Sequence, residues 1–101
     1  MNTATFNKLV NKQILVYLKT LTDKGKEYGD TEDRLAHFKK AATLMGVAPE
    51  SALMGMLTKH IVSISEMAMS GKTYDLEKWD EKIGDAVNYL LLLGVLLRDE
   101  D

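Results

Sequence analysis

Residues 75–98 read DLEKWDEKIGDAVNYLLLLGVLLR. Asp75 is a good N-cap, and a glutamate follows it where a helix favours negative charge. The second half of the stretch is apolar on every face, and it lacks the alternation of a half-buried strand. The spacing predicts a helix from Asp75 to about Arg98. Its longest apolar run, Tyr89 to Leu97 with Gly94 counted, has nine residues. A bilayer-spanning helix needs about 20.

The chain upstream carries the same helical period. Pro49 suits a first helical turn, because its missing N–H costs nothing there, and Glu50 follows with favourable charge. This helix runs to about Ser70, stopped by Gly71, and is apolar almost all round. Before it, a helix from near Asp30 or Thr31 buries Leu35, Phe38, Ala42 and Met45 and ends at Gly46. The first helix, about Thr3 to Lys26, places Phe6, Val10, Ile14, Tyr17, Leu18 and Leu21 on one face and Lys8, Lys12 and Lys19 opposite. Gly25 and Gly29 mark its end, and Asp99, Glu100 and Asp101 read as a frayed acidic tail.

These elements make an all-α chain, a four-helix-bundle-like single domain over residues 1–101. Two helices greasy on all sides are more than two amphipathic neighbours can cover in a chain this short. The chain is therefore expected to assemble as an oligomer, a homodimer or a dimer of dimers, with its last two helices at the centre. Gly55 and Gly94 would allow backbones to approach closely there.

Polar residues inside such helices are informative. Lys59, Ser63 and Glu66 are spaced as one stripe on the third helix, and Glu81, Asp85 and Asn88 as one stripe on the fourth. Carboxylates projecting from facing helices can build a metal site in a bundle. Glu66, Glu81 and Asp85 are hard oxygen ligands suited to Mg²⁺, with Glu81 and Asp85 also the candidate catalytic carboxylates. Lys59 suits a phosphate oxygen, and Asn88 a sugar or base. The same stripes also fit a second reading, in which Lys59 pairs with Asp85 or Glu81 and fixes the register of an interface. The polar connection Lys24–Asp30 reads either as a loop closing over a ligand or as a plain turn. Arg34 and His37 are one turn apart, placed to meet an anion or to sit on the surface. His60 reads as a partly buried surface histidine.

Lys24-Gly25-Lys26-Glu27-Tyr28-Gly29, then Arg34 and Phe38, then Lys59-His60, then Glu81-Lys82-Ile83-Gly84-Asp85-Ala86-Val87-Asn88-Tyr89-Leu90 occur in that order. This series resembles the small helical phage and prophage proteins called nucleotide modification associated domain proteins, over roughly residues 21–97. A weaker resemblance is to the all-α, MazG-like nucleoside triphosphate pyrophosphohydrolases, whose second acidic motif is similar to Glu81–Asp85. Here the acids are four apart rather than three, Lys82 stands at the acid position, and the first Glu-x-x-Glu motif has no copy. The resemblance implies a role in phage nucleotide metabolism or DNA base modification. A nucleoside phosphate would be bound by Lys59, Asn88, Tyr28 and Arg34, with Mg²⁺-dependent pyrophosphohydrolysis as one expected reaction. The alternative is a non-catalytic oligomeric interaction protein of phage or prophage origin.

Composition narrows the rest. The 101 residues carry net charge −2, so no basic excess speaks for direct nucleic-acid binding. There is no cysteine, which excludes disulfides, thiol nucleophiles and zinc–thiolate sites. The polar N-terminus lacks the pattern of a signal peptide. Together these suggest the cytoplasm with no membrane partner, and the resemblance to phage and prophage proteins implies a bacterial host cell.

Overall fold

The computed structural model describes residues 1–26 and 33–99. Among them are four α-helices and no strand: α1 (Thr3–Lys26), α2 (Ala36–Met45), α3 (Pro49–Met69) and α4 (Leu76–Leu96). They fall into two compact units, Met1–Glu32 and Asp33–Asp101.

In the first unit α1 starts where Asn2 Oδ1 accepts the Thr5 N–H at 2.9 Å, satisfying one of the unpaired donors of the first turn. The helix keeps its expected length. Of its apolar stripe, Tyr17 is buried and Gln13 Nε2 donates to its hydroxyl at 3.2 Å, while Phe6, Ile14 and Leu18 are exposed.

In the second unit, α2 begins later than the sequence suggests. Asp33 Oδ1 accepts the Leu35 N–H at 2.9 Å, and its carbonyl accepts the Ala36 N–H at 3.0 Å. This local turn holds residues 34 and 35 out of the helix, as short acidic side chains do when they compete for backbone donors. Residues 30 and 31 lie outside the described residues. The end of α2 is as expected: Gly46 adopts φ 69°, the Val47 N–H reaches Ala42 O, and the Gly46 N–H reaches Thr43 O. These paired bonds satisfy carbonyls that the last turn leaves open, and a positive φ there favours glycine.

Pro49 opens α3 at its first turn. Ser70 closes it, with Oγ donating to Met67 O at 2.9 Å and accepting the Lys72 N–H at 3.1 Å. Asp75 caps α4 by accepting the Lys78 N–H at 2.8 Å. α4 ends at Leu96, two residues before the expected Arg98, whose guanidinium folds back onto Gly94 O at 2.7 Å.

The short 70–75 connection makes α3 and α4 an antiparallel hairpin, and α2 packs on α3. Leu35, Phe38, Leu53 and Leu96 form the buried cluster, with Met56, Tyr89, Leu92 and Leu93 packed against it. Leu53 is the one large side chain among them with no exposed surface. Tyr89 meets Phe38 edge-on, ring centres 6.1 Å apart.

Lys39 Nζ bridges Asp33 at 2.7 Å and Asp99 at 2.9 Å, joining the residues before α2 to the residues after α4. Asp99 is thus held, with its N–H on Leu96 O, rather than being part of a frayed tail. Its two successors lie outside the described residues. Both ends of the clamp show in the charges. The Lys39 ammonium and the Leu35 N–H hold the Asp33 carboxyl below the usual carboxylate range. The two carboxylates hold Lys39 above the usual lysine range.

Candidate functional site

Of the polar residues of the hairpin, His60 on α3 and Asp85 on α4 meet in the seam between the two helices. On α3, the positions turned toward the core run Leu53, Leu57, His60, Ile64 and Met67, at alternating steps of four and three. Lys59 is one residue before His60, about 100° around the helix, and is exposed. His60 therefore takes the place in the seam that the sequence reading gave to Lys59. Its Nδ1 lies 3.8 Å from Asp85 Oδ2, with both side chains about a quarter exposed. Its ring rests on Tyr89, centres 4.8 Å apart and tilted by 36°. The signal was present in the sequence: carrying the four-three spacing on from Leu53 and Leu57 arrives at His60.

The other expected site residues are spread around this pair. Ser63 is half-buried, while Glu66 and Glu81 are exposed. Neither glutamate, nor Lys59, has a hydrogen bond or ion pair to a described residue. Asn88 is buried on α4 one turn beyond Asp85. Arg34 is half-buried in the turn before α2. Tyr28, and most of the Lys24–Asp30 connection, lies outside the described residues. Among the described residues no three His, Cys, Asp or Glu side chains are grouped to hold a metal ion, so Glu66, Glu81 and Asp85 do not gather into one. Asp85 has a histidine beside it rather than a second carboxylate. A hard cation favours several oxygen ligands.

On the other flank of the hairpin the surface is apolar. Glu50, Ser51, Met54, Leu93 and Leu97 line an open groove of about 450 Å³. Ile61 follows Met54 by seven residues and Leu90 precedes Leu97 by seven, so both continue this flank along the antiparallel helices. Met54, Ile61, Leu90 and Leu97 are all exposed. Leu91 and Val95 are exposed too, about 100–160° further round α4. Gly55 and Gly94 are not crowded by the described residues. A Cβ at Gly55 would meet nothing within 4 Å, and one at Gly94 only the Arg98 guanidinium at 3.5 Å. No described helix is long and apolar enough to cross a membrane.

Compared with known proteins, the chain matches no family model, no curated protein and no solved structure.

Proposed function

We propose that this chain is a self-assembling helical interaction protein, and that its working surface is the outer flank of α3 and α4. One observation carries the reading. Leu90 and Leu97 are 52% and 65% exposed on the same helix that supplies Leu96 to the core. Contiguous apolar surface of this kind marks an interaction site in a soluble chain. Met54 adds adaptable contact surface to it.

Light scattering on the purified chain tests this. The expected mass is a multiple of 11.3 kDa. Leu90→Asp with Leu97→Asp should bring it to the single-chain value with helicity kept. A wild-type chain that runs as a monomer at micromolar concentration contradicts the reading.

A second reading is supported by the exposed Lys59, Glu66 and Glu81, whose charges are not consumed by pairing within the described chain. In it, a nucleoside phosphate of phage nucleotide metabolism meets Lys59 beside the His60–Asp85 pair. Thermal shift with each deoxynucleoside triphosphate, with and without Mg²⁺, checks it. A stabilisation lost in Lys59→Ala supports this reading. No shift at millimolar ligand ends it.

A further inference from the structure

We propose that α3 pairs with α3 of a second copy, antiparallel and outward face to outward face, about a two-fold axis between Val62 and Ser65. This rests on the self-assembly reading and names the partner surface that α3 meets.

The outward face of α3 is a regular row. Ser51, Gly55, Thr58, Val62, Ser65 and Met69 follow one another at steps of four and three, and all are exposed. Val62 comes nine residues after the buried Leu53, half a turn away round the helix, so the row faces away from the core. A sustained four-three row is the repeat along which two helices pack. This one is uncharged and borders the α3–α4 flank at Met54 and Ile61. Thr58 Oγ1 donates to Met54 O at 2.8 Å, and Ser65 Oγ to Met69 Sδ at 3.6 Å. Covering the row therefore leaves neither of these donors unpaired.

Charge selects the partner and the register. Lys59 and Glu66 edge the row on one side, are seven residues apart, and so hold the same position in the repeat. Both are exposed, and neither is paired among the described residues. In a two-fold pair every contact occurs twice. With the axis between Val62 and Ser65, Lys59 comes within about 3 Å of the level of the partner's Glu66 along the helix, and Glu66 does the same with the partner's Lys59. Sliding by one repeat sets Lys59 beside the partner's Lys59, or Glu66 beside the partner's Glu66. Both neighbouring registers are thus repelled. A parallel pair would turn Lys59 and Glu66 toward the uncharged edge of Met54, Ile61 and Ala68 and form no ion pair.

Size agrees with the same register. Val62 meets the partner's Ser65, Met69 meets the partner's Thr58, and Ile61 lies beside the partner's Ala68. Each large exposed side chain faces a small one, which lets the two faces interdigitate.

Charge reversal followed by sedimentation tests the pairing. Lys59→Glu alone, or Glu66→Lys alone, makes both ion pairs repulsive and should raise the dissociation constant roughly tenfold at low salt. The double reversal should restore wild-type affinity. So should an equimolar mixture of the two single variants, whose chains then pair with each other. Val62→Asp should abolish assembly with helicity kept. The chain has no cysteine of its own, so Val62→Cys chains carrying a size tag can be oxidised together with untagged Ser65→Cys chains. The mixed disulfide should exceed both homotypic products.

An excess of homotypic disulfides overturns the pairing and leaves assembly through the α3–α4 flank standing. So do single reversals that leave the affinity unchanged, or that the double reversal does not restore. A monomeric wild type overturns both.

Discussion

Leu92, Leu93 and Leu96 on α4 pack with Leu35, Phe38 and Leu53, while Leu90, Leu91 and Val95, one or two positions away, lie about half exposed. Both sides of this helix are apolar, and the outer one is left exposed. Burial of a leucine is worth about 1.5–3 kcal/mol, so the inner side holds the fold. The outer side is costly to leave in water and is the surface we propose for assembly. The contrast separates two demands that the composition merges, a core for the hairpin and a surface for assembly.

The strongest way to break the contrast is to cut into the inner side. Leu53→Ala removes a fully buried side chain and should cost about 2–5 kcal/mol, read as a large fall in melting temperature at unchanged subunit contacts. A neutral result would mean that the cluster around Leu53 is not the core. Asp75→Ala removes the α4 cap and should cost about 1 kcal/mol by denaturant titration. It should spare assembly, since the cap bond to the Lys78 N–H lies within α4.

His60→Ala against Lys59→Ala sharpens the polar seam. Removing the ring that rests on Tyr89 and faces Asp85 should lower the melting temperature measurably. The Lys59 change, on the exposed side, should fall within about 0.5 kcal/mol of wild type. Equal effects would return Lys59 to the seam.

The smallest effect belongs to the Lys39 clamp, whose partners are largely solvated. Asp33 titrates below its ordinary 3.8 in the folded chain, so its contribution is present above that value and is lost as pH falls through the folded one. Lys39 titrates above its ordinary 10.5, so its contribution is present below that value and is lost as pH rises through the folded one. The melting-temperature gap between wild type and Lys39→Met should therefore be flat at neutral pH. It should close toward both extremes and narrow with salt. A gap that grows toward acid contradicts the clamp.

Much of the helical layout was legible because it rests on local chemistry. Pro49, Gly46, Gly71 and Asp75 act through their own backbone neighbours, and three helix starts follow from them and from the apolar period. The start of α2 was not legible, because Asp33 as a turn-former and Asp33 as a favourable first-turn acid look alike until a partner for its carboxylate is known. The same holds for Asp99, whose role depends on Lys39, sixty residues away. On α3 the expected polar stripe of Lys59, Ser63 and Glu66 lies one residue out of phase with the core-facing positions. Lys59 and His60 differ by about 100° around α3, and only the packing of Leu53 and Leu57 decides which faces α4.

Sedimentation equilibrium of the wild-type chain beside the Leu90→Asp, Leu97→Asp variant tests the central claim most directly. The account predicts an oligomer for the former and a folded 11.3 kDa monomer for the latter. Equal masses for the two, with both chains helical, would contradict it.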